Sequence, residues 1–349
     1  MSKEKERAIM QKMVITKQEQ VVEREKQTIT REKQAVERSK FLMGKIDYIN
    51  ASPVYYGLDH GLVPNWIEMI EGPPAVLNGM IKNRELEISP ISSAFYAMNH
   101  KELLILPDLS ISSQGEVLSV ILMTNYPIEE LDGKTIILTQ DSATSSALVR
   151  LIAIQKGIRP NFITGKLRTL EDIPDNIAIP QNIKVSDNIG IQEAISIPND
   201  IGFSQNVCNL TVDAAMIIGD AAMTQPWEKK FKYRIDLGKL WYETTGLPFV
   251  FALWVVRREC AISRYNDVKD ALELFYESRN QGYIHIDKVI ESGAKRLGLD
   301  NSYVSRYFEL LHCNLDELKI KGLEYFFLSL YENSLLPEKV DIKFLSYNS

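Results

Sequence analysis

From Gly44 onward, short apolar runs alternate with runs that open on a helix-capping residue. No other feature of the chain limits its fold as strongly. The stretches "KIDYI" (45–49), "WIEMI" (66–70), "ELLIL" (102–106), "EVLSVILMT" (116–124), "TIILT" (135–139) and "AAMIIG" (214–219) have the length and residue types of strands. Between them, "GPPAVLNGMIKN" (72–83) reads as a helix opened by prolines and "SPISSAFYAMN" (89–99) as a capped helix following the short strand "LEIS". "SATSSALVRLIAIQKG" (142–157) is a third helix, stopped at Gly157. Strands that alternate with helices need helices over both sheet faces, which predicts an α/β fold with parallel sheets.

With 349 residues the chain has room for about two domains. "LPFVFALWVVRR" (Leu247–Arg258) is a long apolar strand suited to crossing back between them. The reading is a first lobe of residues 44–125 and 250–335 and a second of residues 126–249, with crossings near Asn125 and Phe249. Residues 168–210, rich in Asn, Asp, Pro and Ile, show no period and read as an insertion. Residues 261–335 are helical, with amphipathic runs such as "DVKDALELFYESRN". Residues 1–42 lack Gly and Pro and repeat every seven residues ("KQEQVVE", "REKQTIT", "REKQAVE"), with Ile15, Val22, Ile29 and Val36 at one position. They form a charged helical arm, either a thin coiled coil through which the chain self-associates or a solvated single helix.

Charge and composition then exclude several function classes. Net charge is −6, and the arm alone carries 11 Lys/Arg against 7 Glu, so the rest of the chain is more acidic than the whole. That balance argues against a nucleic-acid partner. No stretch approaches the roughly 20 apolar residues of a membrane span, and the charged start does not resemble a signal sequence. Cys208, Cys260 and Cys313 are far apart with no C-x-x-C pair, which points to a reducing, cytoplasmic setting. Phosphate-loop, dinucleotide, H-E-x-x-H and G-x-S-x-G patterns are missing, and His60, His100, His285 and His312 lack metal-ligand spacing.

Hydroxyl-rich sequence recurs where strands run into helices. Ser89, Ser92 and Ser93 form one set, and Ser110, Ser112 and Ser113 with Gly115 a second. Thr139, Ser142, Thr144 and Ser145 form a third, joined by "NAS" (Asn50–Ser52). In open α/β sheets ligands lie beyond the carboxyl ends of strands, where helix starts offer unpaired N–H groups. Hydroxyls added there make a neutral cradle for carboxylates or phosphates; each stretch taken alone is also explained by ordinary N-capping. Asp220, at a helix start, either caps that helix or meets the ligand. Trp241, Tyr242 and Phe249 either wall a planar ligand or pack in the core.

Taken together, "KIDYINASPVYYGL", "ELEISPISSAFYAMN", "LILPDLSISSQGEVLSVILMT", "LDGKTIILTQDSATSSAL", "AAMIIGDAAM" and "DLGKLWYETTGLPFVFALWVVR" resemble the chorismate dehydratases of the futalosine route to menaquinone. The resemblance covers roughly residues 44–280 outside the 168–210 excursion; the arm and the far C-terminus depart from it. It implies a two-lobed periplasmic-binding-protein-like (type II) fold, here with an N-terminal helical arm and a helical C-terminal region. It further implies a lyase that removes water from chorismate to give 3-(1-carboxyvinyloxy)benzoate, with no metal or organic cofactor and no nucleic-acid or membrane partner.

On that reading Asn50 and Ser112 are the expected catalytic residues. Ser92, Ser93, Ser113, Thr139, Ser142, Thr144, Ser145 and Asp220 are expected to bind substrate. None of the motifs near Asn50, Ser92, Ser112 or Thr144 holds a strong base, so the substrate's own enolpyruvyl carboxylate is the expected proton acceptor, with Asp220 as its rival. Two other functions fit the same fold: a solute-binding protein for an aromatic or dicarboxylic anion, and the enzyme class that releases dihydroxynaphthoate in the same pathway.

Overall fold

The structure, a computed structural model, describes residues 39–180, 195–196 and 207–346. The expected arm therefore lies outside the described residues, apart from its last four positions. Two of these, Phe41 and Leu42, already belong to the first strand, β1 (Phe41–Ile46). This strand starts four residues earlier than its sequence suggests because Phe41 and Met43 are fully buried and carry its inner face. It ends before Asp47, which is exposed.

The helix α1 (Ser52–Gly57) follows, and then β2 (Ile67–Gly72), α2 (Pro74–Lys82) and β3 (Ile88–Ser92). The segment Ser89–Ser92, expected to open a helix, instead extends β3, and α3 (Ser93–Asn99) begins after it. Its partner decides this: β13 (Phe249–Arg257) pairs antiparallel with β3, setting Ala252 opposite Ser92 and Trp254 opposite Pro90. Long-range pairing overrides the local capping signal.

The first sheet has the order β14-β4-β13-β3-β1-β2, with β4 at Leu103–Ser113 and β14 at Leu311–His312. The second has the order β12-β5-β11-β6-β7-β9. Its members are β5 (Val120–Thr124), β6 (Thr135–Thr139), β7 (Asn161–Gly165), β9 (Ile195–Ser196), β11 (Ala214–Ile218) and β12 (Tyr233–Asp236). Both sheets are mixed rather than parallel: β13 is antiparallel to β3 and β4, and β5 is antiparallel to β11 and β12. Within the 168–210 segment, β8 (Asn176–Pro180) and β10 (Val207–Thr211) make an antiparallel ribbon; most of the rest lies outside the described residues.

The chain passes between sheets twice. The first passage lies between Ser113 and Val120, ahead of the one expected near Asn125, because β5 already bonds within the second sheet. There Leu118 takes a positive φ of 60°, a costly conformation for a branched residue. The Asp236 carboxylate holds it by accepting from the Val117 and Leu118 N–H groups at 3.0 and 2.7 Å. The return passage, between Asp236 and Phe249, runs through α6 (Leu237–Thr245), after α4 (Ala143–Gln155) and α5 (Gly219–Thr224).

Side chains alternate across a strand, and in the second sheet this splits the core. Leu122, Ile136 and Leu138 join the large core shared with the first sheet, while Ile121, Met123 and Ile137 pack on the opposite face around Trp227 and Phe231. The C-terminal helices α7 (Arg258–Ser263), α8 (Tyr265–Ile284), α9 (Ile286–Leu297), α10 (Asn301–Leu310) and α11 (Glu317–Glu332) complete the first side. Helix α8 comes so close to α1 that a Cβ on Gly282 would lie 2.1 Å from the Pro53 carbonyl oxygen.

Candidate active site

A cavity of about 60 Å³ lies where the two sheets face each other. From the first sheet Asn50 and Ser92 reach it, with Ile111, Phe251 and Ala252 beside them; from the second come Ser142, Ser145 and Gly219. Local structure explains each placement. Asn50 sits in the single turn Ile49–Ala51 that follows β1. Ser92 ends β3 and is the N-cap position of α3. Ser142 is the N-cap of α4, its Oγ accepting from the Ser145 N–H at 3.1 Å.

The Asn50 Oδ1 and Ser92 Oγ atoms are buried and have no hydrogen-bond partner among the described residues. An unpaired buried polar atom costs on the order of 1–3 kcal/mol. Two of them on residues that line one cavity mark a place where the protein leaves bonding capacity for something else.

The remaining expected residues divide by strand geometry. Ser93 is fully buried and donates to the Val250 carbonyl at 2.7 Å, so it faces away from the cavity. Ser112 does not reach the cavity either: its Oγ donates to the His312 carbonyl at 3.2 Å and lies 3.2 Å from the Ser110 Oγ. Alternation along β4 sends Ile111 to the cavity and its two serine neighbours to the opposite face. Ser113 donates to the Gly115 carbonyl at 3.2 Å, and Thr139 accepts from the Asp141 N–H at 3.2 Å. Thr144 joins the two halves, its Oγ1 accepting from the Ala94 N–H at 2.9 Å. Trp241 and Phe249 pack edge to face at 5.1 Å in the core.

Asp220 also bridges the halves. Its carboxylate accepts from the Ile49 N–H at 3.4 Å and lies 3.4 Å from Arg296, which in turn pairs with Asp47 at 2.9 Å. Burial raises the Asp220 pKa, and Arg296 opposes the rise. Asp220 thus stands behind the cavity wall, next to Gly219, rather than among the groups that line it.

Two cavity residues went unnoticed in the sequence, Tyr48 and Ser119. Burial, with help from the Asp141 carboxylate, pushes the Tyr48 pKa up to about 12, so its hydroxyl keeps its proton at neutral pH. Its ring lies 3.2 Å from where a Cβ on Gly219 would be, and Gly219 has a φ of +63°. The close approach and the left-handed turn both require glycine. Ser119 accepts from the Tyr307 hydroxyl at 2.9 Å. Both lie in runs that read as strand but that end, or begin, at a turn. Tyr48 is the only ionisable side chain among the described residues that line the cavity. Among the described residues no group of three His, Cys, Asp or Glu side chains is placed to hold a metal ion, and no helix is long and apolar enough to cross a membrane.

Comparison with known proteins gives three kinds of match. A family model described as menaquinone biosynthesis matches residues 42–177 and 186–332. A Thermus thermophilus protein named chorismate dehydratase is 28% identical over 289 residues, which is 82% of this chain and 93% of that protein. Among solved structures, a protein from Archaeoglobus fulgidus superposes with a TM-score of 0.61 at 19% identity, over 85% of this chain and 98% of its own. A Candida albicans protein described as exhibiting the generic periplasmic-binding-protein fold superposes with a TM-score of 0.52 at 11% identity, over 89% and 98%. The architecture is the two-lobed periplasmic-binding-protein-like fold, with the cavity between its lobes.

Proposed function

This chain belongs to the menaquinone biosynthesis family, and from that premise we propose that it is a lyase. It removes water from chorismate to give 3-(1-carboxyvinyloxy)benzoate, on the futalosine route to menaquinone, as the name of its Thermus thermophilus relative suggests. The observation that carries this reading is the neutral cavity with two unspent polar atoms, Asn50 Oδ1 and Ser92 Oγ.

Chorismate brings two carboxylates, a ring hydroxyl and an acidic ring hydrogen. Among the described residues no lysine, arginine or histidine lines the cavity to neutralise the dianion. Its carboxylates are held by hydroxyls and amides instead, with the start of the 13-residue helix α4 adding partial positive charge beside Ser142 and Ser145. Among the described residues that line the cavity no carboxylate, histidine or lysine is there to take a proton, and Tyr48 keeps its own. The enolpyruvyl carboxylate of the substrate therefore accepts the proton from ring carbon 3. The electron pair left there forms the new ring double bond, and the hydroxyl on carbon 4 departs as water, taking the same proton back from the enolpyruvyl carboxyl group and restoring it as a carboxylate.

Aromatisation supplies the driving force, so the protein's share is orientation. Asn50 suits that share because its amide both donates and accepts: Nδ2 holds the carboxylate and Oδ1 the departing hydroxyl. Ser92 supplies a further donor on the same side, and Ser142 and Ser145 clamp the other carboxylate across the cleft. The bridges at Thr144–Ala94 and Asp220–Ile49 hold the two lobes over the substrate and keep water out.

Incubating the protein with chorismate tests the reaction. The expected product is an aromatic acid with its enolpyruvyl ether intact, seen by absorbance and mass. Binding of chorismate without any conversion would instead favour a solute-binding protein.

A further inference from the structure

A second cavity, of about 330 Å³, opens on the first lobe and shares no lining residue with the cleft. Five cations line it (Lys82, Arg84, Lys101, Arg257 and Arg258) against two carboxylates, Glu102 and Glu259. In a chain of net charge −6 that balance is a local inversion. Three of the five cations already have partners: Arg84 and Arg257 both pair with Glu259, and Lys101 pairs with Glu338 at 2.5 Å.

Lys82 and Arg258 have no ion-pair partner among the described residues. Arg258 is half-buried: one of its terminal nitrogens donates to the His100 carbonyl at 3.2 Å, and its Nε is buried with no partner. The Asp341 carboxylate acts on Arg258 without reaching ion-pair distance, so the half-buried guanidinium is only partly compensated, and an anion that enters the cavity adds to that compensation. The floor is of another kind: of its apolar residues Ile81 and Leu103 are buried, so the half-buried Phe95 offers the surface suited to a ring. A volume of this size lies within the range, on the order of 300–1,000 Å³, that small-molecule sites occupy.

We propose that this cavity binds a small aromatic carboxylate, its acid group held between Lys82 and Arg258 and its ring on Phe95. Binding in this cavity is independent of the reaction in the cleft. Titrating benzoate and, separately, inorganic phosphate into the whole chain by calorimetry tests it. Benzoate is expected to bind, and to bind more tightly than phosphate because only benzoate covers the apolar floor. Lys82→Glu, at an exposed position that does not threaten folding, is expected to weaken benzoate at least tenfold, and Lys82→Ala to weaken it less. Asn50→Ala, in the cleft, is expected to leave it unchanged. The proposal is overturned if benzoate does not bind, if Lys82→Glu binds it as well as the parent chain does, if Asn50→Ala also weakens it, or if phosphate binds as tightly.

Discussion

Asn50→Ala lowers kcat with chorismate by about 100- to 1,000-fold, the usual effect of removing one group that holds developing charge, while KM changes far less. The split between the two constants follows from the cavity. In the proposed mechanism Ser92, Ser142, Ser145 and the helix start behind them still bind the carboxylates, but the amide proposed to orient the proton acceptor and the departing hydroxyl is gone. Asp220→Asn is the paired comparison. If the substrate's carboxylate takes the proton, Asp220 only ties α5 to the Ile49 turn and Arg296, and an amide at that position keeps kcat within about tenfold, a change worth about 1.4 kcal/mol. A loss at Asp220→Asn as deep as that at Asn50→Ala would make Asp220 the base. Steady-state kinetics on both variants separates the two outcomes.

Gly282→Ala destabilises the fold by about 3 kcal/mol, the upper end of what overpacking costs. The added methyl would lie 2.1 Å from the Pro53 carbonyl oxygen and 2.8 Å from its Cα, and both are backbone atoms that cannot rotate away. The contact also fixes the candidate active site, because α1 begins two residues after Asn50 and is pinned to α8 a second time by the Leu58 N–H, which donates to Ser278 Oγ at 2.9 Å. Separating α1 from α8 therefore moves Asn50 as well as weakening the core. Urea unfolding measures the loss. Gly79→Ala, at a helical site where a Cβ meets nothing within 4 Å, is the control and leaves stability equal or slightly raised.

The sequence was most legible where local and long-range signals agree. Residues 135–139 are a strand as read, since all five are buried and flanked by turns. Residues 142–157 read as a helix with Ser142 before it, and the cap is there with its Ser145 bond. The local signal misleads where a distant partner decides. Ser89 and Pro90 look like a helix start, but β13, more than 150 residues later in the chain, draws them into a sheet.

The paired serines failed for a simpler reason. Neighbours on a strand, or across a strand–helix junction, cannot both face one cavity, so Ser92 enters the cleft while Ser93 bonds Val250. Along β4 the alternation was visible in the sequence, since Ser110 and Ser112 share a face that Ile111 does not. Which of the two faces meets the cleft depended on β14 and its His312 carbonyl, far away in the chain. Tyr48 was hidden because β1 runs four residues ahead of its apparent position, which leaves "DYIN" outside the strand and at the cavity edge.

The most direct test is a crystal structure of the Asn50→Ala chain soaked with chorismate. The ring is expected between Ser92 on one side and Ser142 and Ser145 on the other, with the enolpyruvyl carboxylate folded back over ring carbon 3 and Asp220 still on Ile49 and Arg296. Chorismate found elsewhere, or turned so that Asp220 meets the hydrogen on carbon 3, would contradict it.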